Sequence, residues 1–534
     1  MSDISIDDAA AQGENQAVTS RVLFANAALL RFGALLLILP NLLFALRVSP
    51  IMAIVIAAGA LACAAVALRA PLAGAVLRQP VDLGRLSLAL AVAALLLLLG
   101  GEGHVFYSNY DWLTRDAVLA DLVSSRDLPS YDWQGETFFL RAPLGLYLAP
   151  AMVGRFFGLA AAHWATFAQN TLLVGVVFYF AAALAGARTA PVLAVLALFS
   201  GLDFLPVVLT EAALLIKGRE AELPGHLEWW AEAFGPLKLQ YSSHVTQLFW
   251  APNHALPGWL FAIVALLAAR GEIGLELPIL TLAAAAFWSP LAAIGGAPFA
   301  AYLALRAPSK IFARGPLLAG AAALGLLPVA HYLTVAAAQV PHGFAFERSG
   351  YGVQWIVFVL VEVPQFALLA LTWRRIERAD RGLLVVAALV LAILPLFQFG
   401  SANDLVMRAS IPALFVLAFA FARLAATTPR DDSALPTAIS LLVILGAFTP
   451  MFEIKRAFAG RFDISACNTL AAWKQTMHGK HNDFPTNYLA SAKSAGLWTA
   501  SVSAAPRGLE TKDCWPDHPA PELLANGTGV DARK

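Results

Sequence analysis

The chain has 534 residues, 59% of them hydrophobic and only 13% charged, against about 25% charged in ordinary soluble domains, and its mean hydropathy is +0.69. These values exclude a water-soluble globular protein and predict an all-α polytopic membrane protein. A formal net charge of +1 and the lack of a basic patch exclude nucleic acid as a partner, because phosphate neutralisation needs clustered Lys and Arg.

Residues 1–21 are polar and acidic, without the basic n-region and small-residue cleavage site of a signal peptide. They read as a cytoplasmic tail before a retained first helix. Apolar runs able to cross about 30 Å of hydrocarbon follow near 22–46, 50–68 and 85–101. Arg69, Arg78 and Arg85 mark the connection 69–85 as cytoplasmic.

Residues 102–142 then form a large polar loop. Seven carboxylates (Glu102, Asp111, Asp116, Asp121, Asp127, Asp132, Glu136) face three arginines (Arg115, Arg126, Arg141), a balance that opposes cytoplasmic placement and offers acid–base groups beside the bilayer. Leu119, Leu122 and Val123 share one face if Leu113 to Ser125 is helical, which sets Asp111 and Arg115 one turn apart. Asp111 then suits an N-terminal cap on a surface helix, or else Asp111 or Asp116 is a general base. Arg141, at the entrance to the next apolar run, either snorkels to headgroups or holds a lipid phosphate in its planar fork.

Further runs lie near 143–158 and 162–186. The stretches 189–216 and 277–305 each fit one tilted span or two short helices broken at Ser200-Gly201 and Ser289-Pro290. Between them, 217–251 carries Glu220, Glu222, Glu228 and Glu232, with Glu211 just upstream, against Lys217, Arg219 and Lys238, so it is placed outside with the other polar loops. Its Glu228-Trp229-Trp230, Tyr241-Ser242-Ser243-His244 and Asn253-His254 gather aromatic and polar groups before the run 252–269. Two histidines ten residues apart form no metal motif, and structural hydrogen bonding is the expected role of His244 and His254.

Runs at 315–338, 354–373, 382–398, 410–426 and 434–451 complete the bundle. Arg306, Lys310 and Arg314, then Arg374, Arg375, Arg378 and Arg381, mark further cytoplasmic connections. Counting outward puts 399–409 and the tail on the other side. In 399–409 Asp404 and Arg408 have helical i,i+4 spacing, which suits a local ion pair or, with Asn403, contact to sugar and phosphate. The tail 452–534 is near the lower size limit for a core of its own, and its last fifteen residues look disordered. Cys467 and Cys514, in the outer compartment, can form a disulfide, whereas Cys63 lies in an apolar run. Phosphate loops, HExxH, CxxC and nucleophile elbows are absent. No metal ligand set or cofactor is predicted, although a divalent metal stays open.

The run Tyr110-Asp111-Trp112 with Arg115-Asp116, Arg141 to Pro150, Phe199 to Asp203, Glu228-Trp229-Trp230, Asn253-His254, and Asn403-Asp404 with Met407 to Pro412 resemble bacterial integral membrane proteins similar to glycosyltransferases of the GT-C fold. The likeness spans about residues 100–425. It implies a GT-C-like bundle of about 11–14 transmembrane helices over 22–451 in the bacterial inner (plasma) membrane, with extracytoplasmic loops and a small extracytoplasmic tail. It also implies transfer of a sugar from a polyprenyl-phosphate lipid carrier to a glycan or lipid acceptor. Asp111 or Asp116 is the implied base, and Tyr110, Trp112, Arg115, Arg141, Glu228, Trp229, His254, Asn403, Asp404 and Arg408 the implied substrate contacts. The chain departs from that pattern in placing about three spans before the loop and in lacking a paired Asp-Glu motif. A transporter or flippase of a lipid-linked glycan is the alternative, suggested by Arg31 and Glu362 within apolar runs. A scaffold without chemistry is the third, and it predicts outer loops that share no site.

Overall fold

A computed structural model describes residues 25–220, 224–400, 402–429, 431, 434–460, 464, 467–476, 484–504 and 514; the expected cytoplasmic tail 1–21 and the expected disorder of the last fifteen residues lie outside the described residues. The principal helices are α1 (Asn26–Phe44), α2 (Pro50–Arg69), α3 (Leu83–Leu99), α4 (Tyr110–Ser124), α5 (Leu148–Phe157), α6 (Leu159–Ala185), α7 (Thr189–Ala197), α8 (Phe204–Ile216), α9 (His244–Trp250), α10 (Pro252–Ala269), α11 (Glu276–Trp288) and α12 (Pro290–Arg306). They continue as α13 (Arg314–Leu324), α14 (Leu327–Thr334), α15 (Tyr351–Glu362), α16 (Gln365–Leu371), α17 (Arg378–Ile393), α18 (Asp404–Ala409), α19 (Ile411–Thr427), α20 (Ala434–Gly446), α21 (Phe448–Arg456) and α22 (Thr469–Gln475).

Among the described residues six helices are long and apolar enough to cross a membrane, and two bent pairs raise the number to eight. The pairs are α13 with α14, bent by 41°, and α15 with α16, bent by 67°. Pro328 and Pro364 stand at the breaks, where the missing N–H cannot continue the helical ladder. Ile51, Ile54, Leu209 and Leu360 are exposed on the outer surfaces of the bundle, as lipid contact demands of an all-α polytopic protein.

One expected span fails. Over 143–158 only α5 is helical, and its ten residues reach about 15 Å, half the hydrocarbon thickness. Residues 143–147 are apolar because they thread through the bundle: a Cβ on Gly145 would lie 2.4 Å from the Trp288 ring. Gly158, at φ 88°, then turns the chain directly into α6. Both ambiguous stretches are broken, at 198–203 and at Ser289, whose Oγ accepts the Ala292 N–H to start α12.

The connections rich in Lys and Arg meet at one end. Gly74 N–H donates to Glu272 O, Arg306 to Ala269 O at 2.7 Å, and Arg270 grips both Asp380 oxygens at 2.9 and 2.6 Å while reaching Leu184 O. The opposite end gathers the acidic loop, segment 217–251, residues 397–409 and the tail. There Asn109 Nδ2 donates to Phe249 O at 2.6 Å, Tyr107 N–H to Ala457 O, and Asn403 Nδ2 to Lys238 O at 3.1 Å.

Small sheets add to the expected all-helical fold at this second end. Strands β1 (Ser130–Trp133) and β2 (Glu136–Leu140) form a hairpin through Gln134 and Gly135, both at positive φ, the backbone that two-residue hairpins favour. Strands β3 (His342–Phe344) and β4 (Phe397–Phe399) pair with each other, and β5 (Leu489–Ser491) from the tail pairs antiparallel with β2. The tail is further held where fully buried Asp121 accepts Thr469 N–H (2.8 Å), Thr469 Oγ1 (2.7 Å) and Tyr131 OH (2.6 Å). A Cys467–Cys514 disulfide, with Cα atoms 5.6 Å apart, closes it.

Candidate functional site

The sequence Gly100-Gly101-Glu102-Gly103-His104 leads the chain from α3 into the acidic loop. Gly101 (φ 94°) and Gly103 (φ 73°) take the left-handed backbone, and so does His104 at φ 55°, which is uncommon and costs energy for a residue with a Cβ. A Cβ on Gly101 would lie 2.7 Å from Ser108 Cα. This turn buries Glu102 and His104 to 1% and 2% exposure. Glu102 Oε1 accepts Asn170 Nδ2 at 2.7 Å; burial pushes its carboxyl up to about 8, against the Asn170 bond and the Arg115 charge.

Helix α4 follows. Asn109, not Asp111, is its cap, with Oδ1 accepting the Asp111 N–H at 3.1 Å. Asp111 is thereby left half exposed, 3.4 Å from Arg115 one turn on. Arg115 is buried, donates to the Trp250 carbonyl and lies 5.3 Å over the Trp112 ring. Its Nη1 has no hydrogen-bond partner among the described residues.

The second arginine comes from α18, where Arg408 pairs with Asp404 at 2.5 Å. Both ion pairs act electrostatically on the tail residue Tyr488. Burial pushes its phenol up, with the Asp111 and Asp404 carboxylates acting the same way and Arg115 and Arg408 opposing them. Buried Tyr147 is also pushed up, by burial first, with Tyr488, Asp116 and Asp111 adding and Arg115 opposing. Both guanidiniums act electrostatically on His254, whose Nδ1 lies 2.6 Å from Ser289 Oγ. Asp111, Arg115, Asp404, Arg408, His254, Tyr147 and Tyr488 therefore share one electrostatic neighbourhood.

Asp116 faces inward from the same helix. Its carboxylate is fully buried, 3.1 Å from His104 Nε2 and 3.9 Å from His163 Nδ1 of α6. Among the described residues this trio is the group with metal-ligand spacing, its ligand atoms lying within 4.8 Å of one another.

The remaining residues expected at the site tie loops together. Tyr110 OH donates to Gln475 O at 2.5 Å and Trp112 Nε1 to Gly100 O at 2.9 Å. Arg141 donates to Thr486 O at 2.5 Å, its backbone N–H to Tyr488 O at 2.7 Å, and burial lowers its guanidinium pKa. Glu228 is buried and accepts Gln240 Nε2 (2.5 Å) and Ser243 N–H (2.8 Å), so it braces the start of α9; burial, with Asp203 adding, pushes it up to about 8. Trp229 donates to Gln240 Oε1 and carries the Lys238 ammonium 3.8 Å over its ring, while Asn403 takes φ 55° and donates to Lys238 O. His244 has the expected structural role: Nδ1 meets Leu196 O at 2.7 Å, and burial lowers its pKa to about 4.

Sequence reasoning missed Glu102 as a buried group, gave Tyr147 no role beyond its place in the run Arg141 to Pro150, and missed His104, His163 and Tyr488 altogether. Two signals were present: three glycines in the four residues before His104, and a polar stripe of His163, Thr166 and Asn170 at helical spacing in an apolar run. Comparison of the chain with protein-family models, curated proteins and solved structures finds no match to any of them.

Proposed function

We propose that the chain is a membrane glycosyltransferase with a GT-C-like bundle, transferring a sugar from a polyprenyl-phosphate carrier to an acceptor at the extracytoplasmic end. The supporting observation is that the Asp111–Arg115 and Asp404–Arg408 ion pairs both act electrostatically on Tyr488, at the end opposite the connections rich in Lys and Arg. Those connections face the cytoplasm by the positive-inside rule. In a bacterial inner membrane the site then opens where lipid-linked sugars are used.

Asp111, half exposed, takes the proton of the acceptor hydroxyl as its oxygen bonds to the anomeric carbon. The bond from that carbon to the phosphate oxygen breaks, and the polyprenyl phosphate leaves with the electron pair, its charge held by Arg115 and Arg408. Asp116 is sealed from substrate, so this scheme leaves the base role to Asp111. Arg141, whose guanidinium donates to Thr486 O, is not needed at the phosphate.

The test is release of polyprenyl phosphate from radiolabelled polyprenyl-phosphate hexoses by the protein in nanodiscs, with membrane glycans and lipids as acceptors. Asp111→Asn should lower turnover by about 10² to 10⁴ without loss of folded protein. Full turnover in that variant, or no release by the wild type from any such donor, overturns the assignment.

One observation favours a transporter or flippase instead. Asp203 and Glu362, both buried, lie beside the bend between α15 and α16, where Leu202 N–H donates to Val361 O at 2.9 Å; Asp203 accepts Ser200 and Thr449 hydroxyls at 3.0 and 2.9 Å and Glu362 accepts Trp230 Nε1 at 2.9 Å. Transport predicts that Glu362→Gln abolishes movement of a lipid-linked glycan across proteoliposomes; transferase chemistry at Asp111 predicts unchanged release of polyprenyl phosphate in that variant.

A further inference from the structure

Three segments bring the buried trio together. His104 comes from the glycine turn, Asp116 from α4 and His163 from the first turns of α6. All three are at most 2% exposed. A carboxylate removed from water needs a compensating positive charge, yet the groups against Asp116 are two imidazoles, and Arg115 points instead to Asp111 and the Trp250 carbonyl.

The hydrogen bonds around His104 constrain its proton. Ser108 Oγ donates to Gly101 O at 3.1 Å, so toward His104 Nδ1, 3.3 Å away, it presents a lone pair. Nδ1 therefore carries the ring hydrogen. In a neutral imidazole Nε2 is then an unprotonated acceptor, and it faces the Asp116 oxygens at 3.1 and 3.3 Å. Two acceptors at that distance repel unless a cation lies between them. His163 supplies the third ligand atom, its Nδ1 facing the same carboxylate at 3.9 Å.

We propose that His104, Asp116 and His163 bind one first-row divalent transition metal, with the Ser108 hydroxyl against His104 Nδ1 fixing that ring's tautomer. Two imidazole nitrogens and one carboxylate oxygen suit Zn²⁺ or Fe²⁺ better than Mg²⁺ or Ca²⁺, which prefer all-oxygen shells. Ligands about 2.1 Å from a tetrahedral ion stand about 3.4 Å apart. The His104–Asp116 separation already satisfies this, the His163–Asp116 distance of 3.9 Å is close, and the ligand atoms as a set, within 4.8 Å, need only a rotamer-scale closure. The two imidazole rings stand at 86° with centroids 4.9 Å apart, so they approach the carboxylate from different directions. Such an ion pins α4 to the glycine turn and to α6, and thereby sets where Asp111 and Arg115 project. It also accounts for the left-handed backbone at His104, a strain that persists only when the surroundings hold it.

The test needs no knowledge of the reaction. The full chain in detergent is stripped with EDTA, incubated with Zn²⁺ or Co²⁺, desalted and analysed by mass spectrometry of metals and by visible absorption. The expected result is about one metal per chain, a Co²⁺ d–d spectrum, and a metal-dependent rise in melting temperature. Ser108→Ala should weaken binding about 10- to 100-fold. Asp116→Asn and His163→Gln should lose the Co²⁺ spectrum, whereas exposed His342→Ala should keep it. A well-folded wild type that takes up neither metal, as an Asp116–imidazolium pair would, overturns the site, and so does undiminished binding by folded His163→Gln. Failure here leaves the transferase assignment standing, because polyprenyl-phosphate release is measured separately.

Discussion

Reduction of the Cys467–Cys514 bridge should release the tail without unfolding the bundle. The bridge spans a sequence separation of 47, for which the chain-entropy model gives about 4 kcal/mol at 25 °C. That energy falls on a local element. The cysteines pack with Trp112, Leu113 and Ala117 of α4, Gln475 Oε1 accepts the Cys514 N–H at 2.9 Å, and the same tail supplies β5 and Tyr488. The core helices α6, α10 and α19 make no use of it. Local opening of the tail should therefore become up to about 10³-fold more populated, since each 1.4 kcal/mol is a factor of ten. Hydrogen–deuterium exchange of the β5 amides in the presence and absence of reductant, and in a Cys467→Ser/Cys514→Ser double variant, measures this directly. Exchange should accelerate at 489–491 and stay unchanged in α10. Equal exchange at β5 in oxidised and reduced protein would refute the argument that the bridge is what closes the tail.

Two further perturbations report on the same end of the molecule. Asp121→Ala strands two buried donors of Thr469 and the Tyr131 hydroxyl; hydrogen bonds to a charged group contribute about 1.5–3 kcal/mol each, so the loss of all three should be about 4.5 kcal/mol or more and appear as proteolysis within the tail, and a variant as resistant as wild type would contradict it. Stability should also depend on pH through Glu228 and His244. Glu228 is raised from 4.5 to about 8, so between these values the folded chain holds a proton that the unfolded chain has lost, and stability falls as pH rises. His244 is lowered from 6.5 to about 4, so the unfolded chain binds the extra proton and stability falls as pH drops through that window. The two oppose each other between about 4.5 and 6.5, and from 6.5 to 8 Glu228 acts together with Glu102, whose carboxyl is also pushed up to about 8. Melting temperature should decline over that upper interval in wild type, less steeply in Glu228→Gln, and less still in a Glu102→Gln/Glu228→Gln double variant; an equal decline in wild type and Glu228→Gln would remove Glu228 as a cause.

The bundle was largely legible because hydrocarbon imposes a length and an apolar content on each span, and because Pro and Ser mark breaks that periodicity also shows, as at Ser289-Pro290. The stretch 143–158 misled because a buried extended thread and a membrane helix have the same composition. Only the approach of Trp288 to Gly145 separates them, and that contact joins residues far apart in the chain. The β2–β5 pairing was invisible for the same reason. At the site, the Asp111–Arg115 and Asp404–Arg408 pairs were readable from helical spacing alone, which is a local property. Their shared electrostatic neighbourhood was not, since it depends on how α4 and α18 are carried to the same end. His104 and His163 are harder still, because each is unremarkable until the glycine turn sets one ring against the other.

The way each arginine reaches this site has a kinetic consequence. Arg115 and Arg408 each arrive with a carboxylate of their own helix, so the bundle never has to hold a bare cation beside the bilayer, but a phosphate must then compete with that carboxylate. The competition is strongest at Arg408, where Asp404 sits at 2.5 Å and is nearly buried, and weakest at Arg115, where Asp111 is 3.4 Å away and half exposed. Asp404→Asn removes the competing charge while keeping an oxygen that can accept from the guanidinium. Under the transferase assignment it should lower KM for a polyprenyl-phosphate donor several-fold and leave kcat nearly unchanged, whereas Arg408→Gln should raise KM. A change in KM alone in Asp404→Asn identifies competition felt equally in the ground and transition states, whereas Arg408→Gln should also lower kcat, because charge develops on the departing phosphate. A higher KM in Asp404→Asn would mean that Asp404 serves to aim Arg408 at the phosphate, and the competition argument would fail.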